Sequence, residues 1–200
     1  MTYRLANPAW ASWFNSYARP WMQHCNKMNK AEWLEQYFEK VAASSEEGAA
    51  AVRFVRANNI RVGMRRARKS VGAFWKLNRN FYLNSRHYTM ESALENPRAW
   101  TMFVHEVRHI EQGMLTAMSI YGELDAWQYE FRLFKRLTGK TLKPELEEIL
   151  SLPLNFDRTN LRRAQQLMTK FAGFWYGAWS LPLYPIHKEM LYWVTRKQYD

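Results

Sequence analysis

The chain has one cysteine, Cys25, so no internal disulfide can form, and a reducing cytoplasm is the default expectation for its location. It has no apolar run approaching the length of a membrane span, and its first residues, Met1-Thr2-Tyr3-Arg4, lack the apolar stretch of a signal peptide. There is no internal repeat and no low-complexity tract. Acidic residues are missing altogether from Gly48 to Met90, where Arg53, Arg56, Arg61, Arg65, Arg66, Arg68, Lys69, Lys76, Arg79 and Arg86 all fall. That stretch accounts for much of a net charge of +11. It is either a solvated basic face or a surface for nucleic acid, an anionic surface or an acidic polypeptide.

What is present is a large stock of core-forming residues. Forty-eight per cent of the 200 residues are apolar and 16% are aromatic, enough for one well-filled domain. Residues 7–58 read as helical. Asn7-Pro8 opens one segment, with Trp10, Trp13, Phe14 and Tyr17 at helical spacing, and Pro20 breaks it. Asn29 caps a second segment, and Ser44-Ser45-Glu46-Glu47 begins a third that ends near Asn58-Asn59. The middle then changes character. Ile60–Met64, Val71–Leu77 and Phe81–Tyr88 are short and rich in β-branched and aromatic residues, with Asn78-Arg79-Asn80 placed to turn a hairpin. A small antiparallel sheet is expected there. Asn96-Pro97 starts a helix running to about Met118, and another follows from Glu123 to Leu137 with Gly139 just past its end. Pro144, Pro153, Pro182 and Pro185 cut the remainder into helical pieces.

Residues 105–109 read His-Glu-Val-Arg-His. Positions i and i+4 of a helix share one face, so both imidazoles can reach one metal ion, while Glu106 lies beside it and can take a proton from water. With His105 at 0° and 100° per residue, Phe103, Val107, Ile110 and Met114 fall at about 140–200°, whereas His105, His109, Thr101 and Gln112 lie within about 40° of zero. The pair is therefore set away from the apolar stripe.

A catalytic zinc site needs a third protein ligand. The position three residues after His109 is Gln112 and the one three further is Leu115, which excludes a third His in that register. The carboxylate candidates are Glu111, Glu123, Asp125 and Glu130. Leu124, Ala126, Trp127, Phe131, Leu133, Phe134 and Leu137 define an apolar face on the following helix. Glu123 lies near the centre of that face, where an unpaired carboxylate would cost several kcal/mol. Glu123 is thus the chosen ligand, with Gly122 and Ala126 allowing close helix approach. Glu130 lies behind it, as an alternative ligand or a partner for a His or Arg. Asp125 points away with Arg132 and Arg136.

These residues resemble the gluzincin metallopeptidases, in particular their minimal members. The resemblance rests on His105-Glu106-x-x-His109 and on Glu123-Leu124-Asp125-Ala126, within about residues 60–137. It implies zinc held by His105, His109 and Glu123, Glu106 as general base, and an edge strand, Phe81–Asn84 or Ala73–Leu77, that takes extended peptide by β-addition. Larger members place Asp four residues after the ligand Glu; here Trp127 stands there. The oxyanion donor is left open among Tyr176, Tyr184, His187 and Tyr192.

The expectation is an α+β, mainly α, zincin-like domain over residues 1–200. It divides into a helical N-terminal region (1–58), a sheet and metal-site core (60–137) and a helical C-terminal region (140–200). Its expected activity is zinc-dependent hydrolysis of peptide or protein substrates. The rivals are an HExxH protease working beside nucleic acid bound through residues 53–86, and a non-catalytic helical interaction protein. Latency through the terminal helices is a further possibility.

Overall fold

The computed structural model describes residues 29–76, 80–197 and 199. The helix expected after Asn7-Pro8 and the turn residues Asn78 and Arg79 lie outside the described residues. The fold is α+β and mainly α, as expected. It begins with α1 (Lys30–Ser44) and α2 (Glu46–Ala57). Asn29 caps α1 by accepting from the Glu32 N–H at 2.9 Å, and Ser45 caps α2 by accepting from Gly48 at 2.9 Å.

Three strands follow, β1 (Val62–Arg65), β2 (Ala73–Trp75) and β3 (Phe81–Asn84). Their order is β1-β3-β2, with β1 parallel and β2 antiparallel to β3. The sheet is therefore mixed, not antiparallel throughout. The reason lies in the connection from β1 to β2, which crosses over the end of β3. Asn84, fully buried there, holds that crossing through its side chain. Its Oδ1 accepts from the Ala67 and Arg86 N–H groups, and its Nδ2 donates to the Arg68 and Val71 carbonyls. Four hydrogen bonds satisfy the amide completely. Phe81–Asn84 is the central strand, so of the two edges considered only Ala73–Trp75 is free to be one; Leu77 lies outside the described residues.

The second half is helical: α3 (Met90–Leu94), α4 (Pro97–Gln112), α5 (Met114–Ala117), α6 (Ile120–Thr138), α7 (Pro144–Ser151), α8 (Arg158–Ala172) and α9 (Ile186–Thr195). Two 3-10 turns, Phe174–Tyr176 and Ala178–Ser180, precede α9. The His-bearing helix ends at Gln112, not near Met118. Gly113 takes φ 75°, a conformation that suits glycine and stops the helix. Met114, expected on the core stripe, is consequently exposed. The next helix starts at Ile120, three residues earlier than expected, because Ser119 accepts from the Gly122 N–H and caps it there. Gly139, in the left-handed region at φ 64°, ends it as expected.

Two apolar clusters result. One joins α1, α2, the sheet, α3 and the Phe103, Val107 and Ile110 face of α4; Phe81 and Tyr37 meet Phe103 edge-on there. The other joins α6 to α7, α8 and residues 178–184. Helices α4 and α6 pack on each other where the clusters meet. Gly122 lets α6 close on α5 and the end of α4, since a Cβ on it would fall 2.1 Å from the Thr116 carbonyl oxygen and 3.0 Å from Oε1 of Gln112. Among the described residues no helix is long and apolar enough to cross a membrane.

Candidate metal centre

The His stripe of α4 faces α6, so polar groups lie in the seam between the clusters. His105 and His109 are each 3% exposed and Glu106 is 6% exposed. Burial at this depth leaves little water to satisfy them, so each polar atom needs a protein partner or an ion.

Each imidazole has a polar side chain behind it. Nδ1 of His105 lies 2.8 Å from Oε2 of Glu130. Nδ1 of His109 lies 3.2 Å from Oε1 of Gln112. The Gln112 amide is oriented by two acceptors, because its Nε2 donates to the Gly122 carbonyl at 3.0 Å and to Oδ2 of Asp125 at 2.7 Å. Its Oε1 therefore accepts, and His109 carries hydrogen on Nδ1. The two Nε2 atoms lie 3.0 Å apart, at hydrogen-bonding distance, with the rings near perpendicular at 83°. Oε1 of Glu123 lies 3.6 Å from Nε2 of His109, and the three donor atoms fall within 4.8 Å of one another. Tetrahedral zinc sets its ligand atoms about 3.3 Å apart, which is close to these separations. The donor set of two imidazoles and a carboxylate fits that metal.

Electrostatics point the same way. Burial, then the neighbouring His109 and Arg98, hold His105 well below the ordinary imidazole range, so it stays neutral and able to ligate. Burial and the adjacent Glu123 push Glu106 well above the ordinary carboxylate range, against a backbone hydrogen bond from Trp75 of β2. Burial pulls Arg98 down to about 10, yet it remains a cation at neutral pH, and it pairs with Oε1 of Glu130. Glu130 thus lies behind His105 and pairs with Arg98, both partners considered for it, while Glu123 is the carboxylate grouped with the two Nε2 atoms.

Glu123 is held from above. Trp127 Nε1 donates to its Oε2 at 3.1 Å and the Tyr176 hydroxyl donates to the same oxygen at 2.7 Å. Burial and Glu123 raise the Tyr176 pKa well above its usual value, so it remains a phenol. Trp127, four residues after Glu123, thus orients the Glu itself. Of the four donors left open, Tyr176 alone lines the cleft. Tyr184 and Tyr192 pack over Arg158, and His187 is exposed on α9.

His105, Glu106, His109, Glu123 and Tyr176 line a cleft of about 720 Å³. Val71 and Ala73–Lys76, along the free edge of β2, form one wall; Ala117 and Met118 contribute to the other. A smaller cavity of about 60 Å³ continues inward beside Arg98, Glu130 and Phe171.

Several supporting residues escape the sequence reading. Helical phase sets Asp125 apart with Arg132 and Arg136, whereas it accepts from Arg108 Nε at 2.8 Å and from Gln112. Gln112 is three residues from His109, a spacing at which helical side chains meet. Arg98, seven residues before His105, falls at about 20° on the same stripe. Gln112 and Arg98 are therefore readable by phase. Tyr176, 53 residues beyond Glu123, carries no such signal.

No protein-family model, curated protein or solved structure matches the chain.

Proposed function

We propose that the chain is a zinc-dependent peptidase, with His105, His109 and Glu123 as metal ligands and Glu106 as general base. The observation that carries this reading is the pair of buried Nε2 atoms grouped with the Glu123 carboxylate at the floor of an open cleft. Zinc bound there would supply a polarised water at neutral pH and a Lewis acid for a peptide carbonyl.

The chain's own residues account for the remaining roles. Glu130 and Gln112 stand behind the two imidazoles, and Trp127 and Tyr176 hold the Glu123 carboxylate. Glu106 borders the cleft beside both His residues, placed to accept the proton of the attacking water and pass it to the departing amine. Burial and the neighbouring Glu123 raise its pKa above the ordinary carboxylate range. The free edge of β2 supports an extended peptide by β-addition, which favours peptides over other substrates for hydrolysis.

The test is metal analysis of the purified chain together with hydrolysis of an unfolded protein. One zinc per chain is expected. Glu106→Gln should keep that zinc and lose about 10²–10⁴-fold in rate. Zinc well below stoichiometry, or undiminished cleavage by Glu106→Gln, would overturn the assignment.

A further inference from the structure

Ten of the eleven large apolar side chains exposed on the described surface lie in three segments, 114–118, 174–179 and 190–194; the other is Leu154. Soluble surfaces seldom gather apolar side chains this way without a partner. The three segments converge on the cleft. Met118 lines it, Trp175 precedes the cleft residue Tyr176, and α9 packs against α5.

Helix α9 has two unlike sides. Glu189, held by Arg158, and Tyr192 turn inward. Met190, Leu191 and Val194 share the outward side, with Val194 83% exposed. Trp193 stands beside them, 59% exposed, with the Arg196 guanidinium 5.0 Å from its ring centroid. Trp175 is 69% exposed. Aliphatic residues on one helix face, edged by Trp and Arg, are the composition of a helix lying in a bilayer interface.

The opposite wall of the cleft supplies charge. Arg66, Arg68 and Lys69 lie in the β1–β2 crossing, just before the wall residue Val71, and are exposed. Asn84 and His87 pin that loop through its backbone. None of these three side chains enters an ion pair among the described residues. In the helical half, by contrast, Lys135, Arg136, Arg158, Arg163 and Lys170 are each paired with a glutamate. Unpaired cations on one side of an opening and uncovered apolar groups on the other call for a partner that is both anionic and apolar.

We propose that this rim docks on an anionic bilayer surface, with α9 and the exposed Trp residues in the interface and Arg66, Arg68 and Lys69 among the headgroups. A second copy would cover the apolar segments but oppose two chains of charge +11. Nucleic acid would meet the cations and could stack on Trp, but offers nothing to Met190, Leu191 and Val194. Docking this way brings the cleft to the membrane surface. The inference needs neither the metal nor hydrolysis, so it stands or falls apart from the peptidase reading.

The test is co-sedimentation of the full chain with phosphatidylcholine vesicles and with mixed phosphatidylcholine–phosphatidylglycerol vesicles across a salt series. Binding to the mixed vesicles alone is expected, with a blue shift of Trp emission and loss of binding at high salt. Arg66→Glu/Arg68→Glu/Lys69→Glu should lower partitioning at least about tenfold. Leu191→Ser/Val194→Ser should lower it roughly tenfold by removing buried apolar area. Both variants should melt as the parent does. The proposal fails if the parent binds neither vesicle or binds both equally, or if both variants bind undiminished. It also fails if the parent is a dimer that Leu191→Ser/Val194→Ser dissociates, or if it takes up DNA but no vesicles.

Discussion

Glu130 and Glu189 are both buried carboxylates facing an arginine, Arg98 and Arg158 respectively, and each arginine packs on aromatic rings. Their surroundings differ. At Glu189 the set is closed. Arg158 reaches the carboxylate through two nitrogens at 3.0 and 3.3 Å, and Glu189 also accepts the Tyr184 N–H at 3.0 Å. Its work is to hold α9 to α8. At Glu130 the carboxylate divides itself between Arg98 and His105, and the imidazole passes the demand on. Its far nitrogen faces the second imidazole and is grouped with a carboxylate beside an open cleft. A buried charge by itself is weak evidence for a site, because pairing can settle it locally. Two imidazoles and a carboxylate converging beside a cleft are stronger evidence, because one ion can be shared by all three.

The comparison can be broken by cutting each pair. Glu130→Ala should have the largest effect. Removing one partner of a buried pair costs about 3–5 kcal/mol, and losing the carboxylate behind a ligating His weakens metal binding by about 10–100-fold. Denaturant unfolding and zinc titration would measure the two losses separately. Glu189→Ala should cost up to a similar 3–5 kcal/mol in unfolding yet leave zinc affinity unchanged. If it lowers zinc affinity as Glu130→Ala does, the two clusters are not distinct in kind.

A smaller effect sharpens the tautomer argument. Gln112→Ala removes the acceptor that keeps the proton on Nδ1 of His109, and should raise the zinc Kd about tenfold. Equal affinity in that variant would mean that His109 does not depend on Gln112. The smallest effect belongs to the helical surface. Ion pairs with Lys170, Lys135 and Arg163 hold the carboxyls of Glu145, Glu147 and Glu148 on α7 below their usual range. Groups with folded pKa values lowered in this way stabilise the fold above the unfolded value. That stability is lost as pH falls through the folded values, over roughly pH 5 to 3. A shallow fall in Tm across that window is expected, reduced in Glu147→Gln.

Much of the site is legible in residue spacing. The four-residue interval puts His105 and His109 on one face, and the misplaced carboxylate Glu123 stands out because helical phase assigns it to an apolar side. The caps Asn29, Ser45 and Asn96 are legible because a side chain that accepts from a nearby N–H acts locally. Reading fails where the deciding contact is remote in sequence. The parallel pairing of β1 with β3 depends on Asn84 reaching the crossing loop, and the choice of Tyr176 depends on residues 174–176 folding back over α6.

The sequence by itself determined most of the described helices, the caps at Asn29, Ser45 and Asn96, and the relative phase of the His pair, Glu106 and Glu123, because these follow from periodicities of a few residues. Only the tertiary structure decided that the polar stripe would be buried and not solvated. It brought Arg98 and Glu130 behind His105, grouped two imidazole nitrogens with one carboxylate, and left β2 as the free edge beside them. Those outcomes depend on how closely α4 and α6 approach at Gly122 and on which surfaces that approach closes to water, and neither quantity is written in any local run of residues.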